Sequence, residues 1–80
     1  MNEKTVKRLL DLFNDEYEKL YKRNSYGTNE DLAAFDKLFD MFPAIVREFN
    51  AARFDILSSD RECAAFARAY KRLMREALKA

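Results

Sequence analysis

Two residues in this chain interrupt regular structure by their own chemistry, and each type occurs once: Gly27 and Pro43. Glycine enters left-handed backbone freely, and proline lacks the amide proton that a helix interior needs. With so few breakers the elements must be long, and long elements with few turns favour helices. Eighty residues lie near the lower limit for a self-sufficient core. The composition compensates, being 49% hydrophobic and 14% aromatic. The expected fold is therefore all-α: one domain over residues 1–80, a compact bundle of three to four helices with a corner at Pro43. The expected helices cover approximately residues 2–24, 29–41, 43–58 and 60–79.

Periodicity supports this division. Val6, Leu9, Leu10, Phe13, Tyr17, Leu20 and Tyr21 recur at three- and four-residue steps, a single helical stripe. On its other face Glu3–Lys7, Asp15–Lys19 and Glu18–Lys22 are acid-before-base pairs four apart. Gly27 is expected to finish the turn, and Tyr26 to fold back on the core. Thr28 or Asn29 then caps a second helix whose first turn carries Glu30 and Asp31.

Five of the seven phenylalanines fall between Leu32 and Leu57: Phe35, Phe39, Phe42, Phe49 and Phe54. Leu32, Phe35, Leu38, Phe39 and Phe42 share one face. Pro43 either opens a new helix or kinks a continuous one; both fit its chemistry. The third segment, running to Ser58, is expected to bury Ile45, Val46, Phe49, Ala52, Ile56 and Leu57. Ser59 with Glu62 three residues later is a capping box that starts the last helix. Its stripe is Cys63, Phe66, Ala67, Tyr70, Leu73, Met74, Ala77 and Leu78. Ala64, Ala65 and Ala69 lie on a flank where a neighbouring helix can approach.

Charge narrows the function classes. Fifteen basic against fourteen acidic residues leave +1, not the balance of a general nucleic-acid binder. The signs are uneven: residues 1–42 hold seven basic and nine acidic side chains (−2), residues 43–80 eight and five (+3). Attraction between these halves makes a homodimer compatible with the sequence. The lone Cys63 excludes an internal disulfide and multi-cysteine metal sites, and suits a reducing compartment. The mixed-charge N-terminus does not read as a secretory signal. The longest uncharged apolar run, Met41 to Val46, is far short of the roughly 20 residues of a membrane span. A cytoplasmic protein without membrane association is expected.

Catalytic and cofactor chemistry find no footing. A single glycine excludes phosphate loops and dinucleotide fingerprints. Without histidine, the carboxylates Asp11, Asp15, Glu18, Asp36 and Asp40 read as charged surface rather than as a metal site. Cys63 lacks a histidine base and reads as a small buried hydrophobe. No enzyme activity, cofactor or metal is expected.

What remains is a set of residues off their helical stripes. Arg61, Arg68, Arg72, Arg75 and Lys79 share one face of the last helix, with no acidic residue between Cys63 and Arg75. Such a face can meet phosphates or an acidic protein surface, or can be solvated while complementing the helix dipole. Met41 and Phe54 lie off their stripes as interface anchors would. Arg53 beside Phe54 either completes that patch or snorkels to solvent. A helix-turn-helix reading, with Arg47, Asn50 and Arg53 as base readers, suffers from an apolar second helix and a corner without glycine.

The expectation is a non-enzymatic protein-interaction module. Compositionally it resembles the small regulators and inhibitors of bacteria and their phages or mobile elements. It would bind an acidic partner surface through Arg53, Phe54, Met41, Arg61, Arg68, Arg72, Arg75 and Lys79. The alternative is a small nucleic-acid-binding protein using the basic face of the last helix.

Overall fold

Asn2 starts the first helix by accepting a hydrogen bond from the Thr5 amide at 2.9 Å. The computed structural model describes residues 2–79, and their regular structure is four helices: α1 (Glu3–Lys22), α2 (Asn29–Met41), α3 (Pro43–Arg53) and α4 (Asp60–Lys79). On α1 the pairs Asp15–Lys19 (3.0 Å) and Glu18–Lys22 (2.8 Å) form. Glu3 and Lys7 make no such bridge among the described residues.

The end of α1 is set by Asn24 rather than Gly27. Asn24 takes a left-handed φ of 51°. Its amide donates to Tyr21 at 3.0 Å, and that of Ser25 to Leu20 at 2.9 Å. This is a Schellman end, which asparagine's short polar side chain tolerates. Gly27 has a different task. With φ at +88°, it lies so close to α4 that a Cβ would come within 2.4 Å of the Ala64 Cβ. Tyr26, expected to fold back on the core, stays 59% exposed.

Thr28 caps α2 in a reciprocal box. Its amide donates to Asp31 Oδ2 at 2.9 Å, and the Asp31 amide donates to Thr28 Oγ1 at 3.2 Å. The chain leaves helical geometry at Phe42 (φ −135°, ψ 61°), so α2 and α3 are separate helices. Pro43 opens α3, where its missing amide proton costs nothing.

The third helix is shorter than its apolar pattern suggests, ending at Arg53 instead of Ser58. Phe54 adopts φ 58°, and the Asp55 amide closes back on the Asn50 carbonyl at 3.2 Å. Beyond it, Asp55 accepts from the Ile56 amide at 2.8 Å and Asn50 Oδ1 from the Leu57 amide at 3.2 Å. These local bonds offer the backbone an alternative to another helical turn. Leu57 is thereby brought into the core, while Ile56 and Ala52, expected inside, are exposed. Ser59 and Glu62 then form the expected box, with bonds of 3.2 and 3.1 Å.

α4 is the spine of the bundle. α1 runs antiparallel to it, with Arg8 meeting Glu76 at one end, Asp15 meeting Arg72 midway, and Tyr21 under Arg61 at the other. α2 packs against α4 as well, and α3 lies on α1 and α2. Ala64, Ala65, Ala67 and Ala69 have no solvent exposure at all. The flanking alanines are thus as central as the expected stripe, because a methyl side chain lets backbones come close. Phe49 fills the centre, its ring edge-on to Phe13 (5.1 Å between centroids) and Phe66 (4.9 Å). Toward the end of α4 the cover thins: Met74 is 39% and Leu78 88% exposed, although both belong to the apolar stripe.

The Gly27–Ala64 contact predicts a specific failure. Gly27→Ala combines positive-φ strain with overpacking and is expected to cost roughly 2–5 kcal/mol. Urea denaturation of the two proteins measures it; an unchanged midpoint would contradict the close approach.

Candidate protein-binding surfaces

Asp31 is the one buried charged residue among those described. Arg68 reaches across from α4 and donates to its Oδ2 from both Nε (3.0 Å) and Nη2 (2.8 Å). Four residues on, Arg72 turns to α1, where Nη1 lies 2.6 Å from Asp15 and 3.7 Å from Glu16. Arg61 donates from Nε to the Ser25 carbonyl at 2.8 Å. Its guanidinium stands over the rings of Tyr26 (4.5 Å) and Tyr21 (5.3 Å). Three of the five cations expected to line a partner-binding face are therefore engaged within the molecule. Arg75 and Lys79 stay exposed without an acidic partner among the described residues, as does Lys71.

Arg53 and Phe54 are neighbours in sequence whose side chains go separate ways. The Arg53 guanidinium is largely enclosed, with Nη2 2.8 Å from Glu62 Oε2 and its carbon 4.7 Å from the Phe13 centroid. Phe54, set outward by its left-handed backbone, is 97% exposed. The expected joint patch is divided: Arg53 ties α3 to α4, and Phe54 faces water. Arg53 Nη1 and Arg61 Nη2 are enclosed without a hydrogen-bond acceptor. Each guanidinium lies against aromatic rings, whose negative faces offset part of that loss.

The pairs between helices tune their carboxylates. Burial pushes Asp31 up, but the bonds from Arg68 and Thr28 outweigh it and leave its pKa below the usual value. Glu62 behaves alike, burial being outweighed by Arg53 and Ser59. Asp15 is lowered by its bonds from Arg72 and Lys19. Cys63 moves the other way: burial raises its thiol, with help from Asp60, Glu62 and Asp36. A thiol so placed is held in its unreactive form. No group of three metal-ligating side chains occurs among the described residues.

Two apolar grooves complete the surface. One, of about 220 Å³ between α2 and α4, is lined by Ala34, Leu38, Met41, Ala67 and Tyr70, with Lys37 and Lys71 as its polar members. The other, of about 470 Å³ between α1 and α3, is lined by Val6, Leu10, Ala51 and Ala52, with Glu3, Lys7 and Glu48. Met41 was legible as a misfit on its helix. Leu38, Ala67 and Tyr70 were legible only as members of two separate stripes and Lys37 not at all, because a groove belongs to two helices and no single stripe defines it. No family model, curated protein or solved structure matches the chain.

The lowered carboxylates define an acid-side stability loss. Because the folded pKa values of Asp31 and Glu62 lie below their unfolded values of about 4, their contribution is complete above that range. It is lost as pH falls through the folded values. Asp31→Asn and Glu62→Gln should each lower stability at neutral pH by about 2 kcal/mol. Both should flatten the decline below about pH 4.5. Thermal melts across pH test this, and a decline as steep in both variants as in the parent would contradict it.

Proposed function

We propose that this chain is a non-enzymatic protein-interaction module that receives an acidic, apolar-edged segment of a partner protein in the groove between α2 and α4. The observation that carries the reading is the groove's composition: apolar walls, with Lys37 and Lys71 as the charged residues among the described ones that line it. Neither lysine has an acidic partner among the described residues. The cavity is smaller than the roughly 300–1,000 Å³ of a small-molecule site. That size suits one or two inserted side chains. Met41 at its edge is an adaptable contact, since an unbranched thioether repacks readily. Arg75 and Lys79, exposed one and two turns beyond Lys71, extend the positive potential along α4. A small module of this kind acts as a regulator or inhibitor by occupying a surface its partner needs.

The nucleic-acid reading draws less support from the same face. Arg68 and Arg72 are paired with carboxylates, whose negative charge offsets the attraction either cation would offer a phosphate.

Affinity capture from a bacterial lysate, with and without nuclease, tests the proposal using three proteins: the parent, Met41→Glu, and the double variant Lys37→Glu, Lys71→Glu. A partner that resists nuclease and is held about tenfold or more weakly by both variants is the expected result. Equal retention by all three would overturn the groove as the site. Retention abolished by nuclease would transfer the function to nucleic acid.

A further inference from the structure

A second surface, on another side of the molecule from the lysine-rimmed groove, carries a knob and a hole side by side. The knob is Phe54, 97% exposed, with Ile56 beside it at 69%. A bulky residue at φ 58° is strained, and here the strain places an aromatic ring where it touches almost nothing of its own chain. The hole is the groove of Val6, Leu10, Ala51 and Ala52 between α1 and α3. Ala51 belongs to both, forming a wall of the groove and part of the shelf beneath Phe54.

We infer that this face is a homodimer interface in which Phe54 of each copy enters the α1–α3 groove of the other. Adjacency decides the symmetry. With knob and hole on one face, a two-fold rotation satisfies both contacts at once and closes the assembly as a dimer; a knob and hole on opposite faces would build a larger ring or an open chain. The groove, at about 470 Å³, has room for a phenyl ring. Its rim carries both signs of charge in Glu3, Lys7 and Glu48. Apolar burial therefore drives the association, and salt has little effect on it. An aromatic side chain buries about 150–250 Å². Two knobs, two Ile56 side chains and the matching walls reach on the order of 1,000 Å², the range of weak, reversible dimers.

Sedimentation equilibrium of the full chain, up to the millimolar range and at low and high salt, tests the inference. Phe54→Gly removes the knob while accommodating φ 58° without strain, so its monomer should melt higher than the parent. Ala52→Glu charges the hole at an exposed helical position. The parent is expected to dimerise reversibly and independently of salt, and each variant to associate about tenfold or more weakly. A mixture of the two variants keeps one knob and one intact hole, so it should associate more strongly than either alone. A parent that stays monomeric throughout, or a dimer that survives either substitution, would overturn the interface. A dimer that dissolves in salt would do so too, pointing instead to a charged face.

Discussion

Four alanines in the first half of α4, all fully buried, set the distances from which the rest of the molecule follows. Larger side chains at Ala64, Ala65, Ala67 and Ala69 would hold α1 and α2 away from the spine. With methyl groups there, the helices come close enough for Gly27 to lie against Ala64, and for Phe66 to form T-shaped contacts with Phe35 and Phe49. Dispersion over such contacts is individually small and collectively large, and it falls off quickly once a gap opens. The small residues thus determine where the large ones can pack.

Close approach also explains the arginines. An Arg side chain on α4 is long enough to reach over a neighbouring helix, and each flank presents a carboxylate at that reach: Asp31 on α2, Asp15 and Glu16 on α1. Arg53 does the same from α3, bonding Glu62, which completes the Ser59 capping box of α4. Desolvation offsets much of the attraction in partly enclosed pairs of this kind, whereas removing one partner leaves the other uncompensated. Their cations are consequently less available to a partner than their sequence positions suggest.

What the bundle leaves outside is as informative as what it encloses. α2 contributes no fully buried hydrophobic residue, and Phe39, Met41 and Phe42 are each about half exposed. Of the exposed apolar residues, Met41 lines the α2–α4 groove, and Phe54 and Ile56 stand beside the α1–α3 groove, sharing Ala51 with it. Single exposed apolar side chains are ordinary on protein surfaces, whereas contiguous ones beside grooves mark places of contact.

The sequence by itself determined the helices and most of their boundaries. Those depend on local chemistry: the Thr28 and Ser59 boxes, the proline at the start of α3, and apolar residues at helical spacing. It also marked Met41 and Phe54 as standing apart from their stripes. The early end of α3 was less legible, because Ile56 continues the helical period while Asn50 and Asp55 bond the backbone into a turn that brings Leu57 inward. Only the tertiary structure decided the fate of the charges and the grooves. Whether an arginine faces water or a carboxylate depends on which helix lies beside it and how closely. A groove exists only between two helices. Both are set by packing distances that residues far apart in the chain impose together, so no single stripe of sequence contains them.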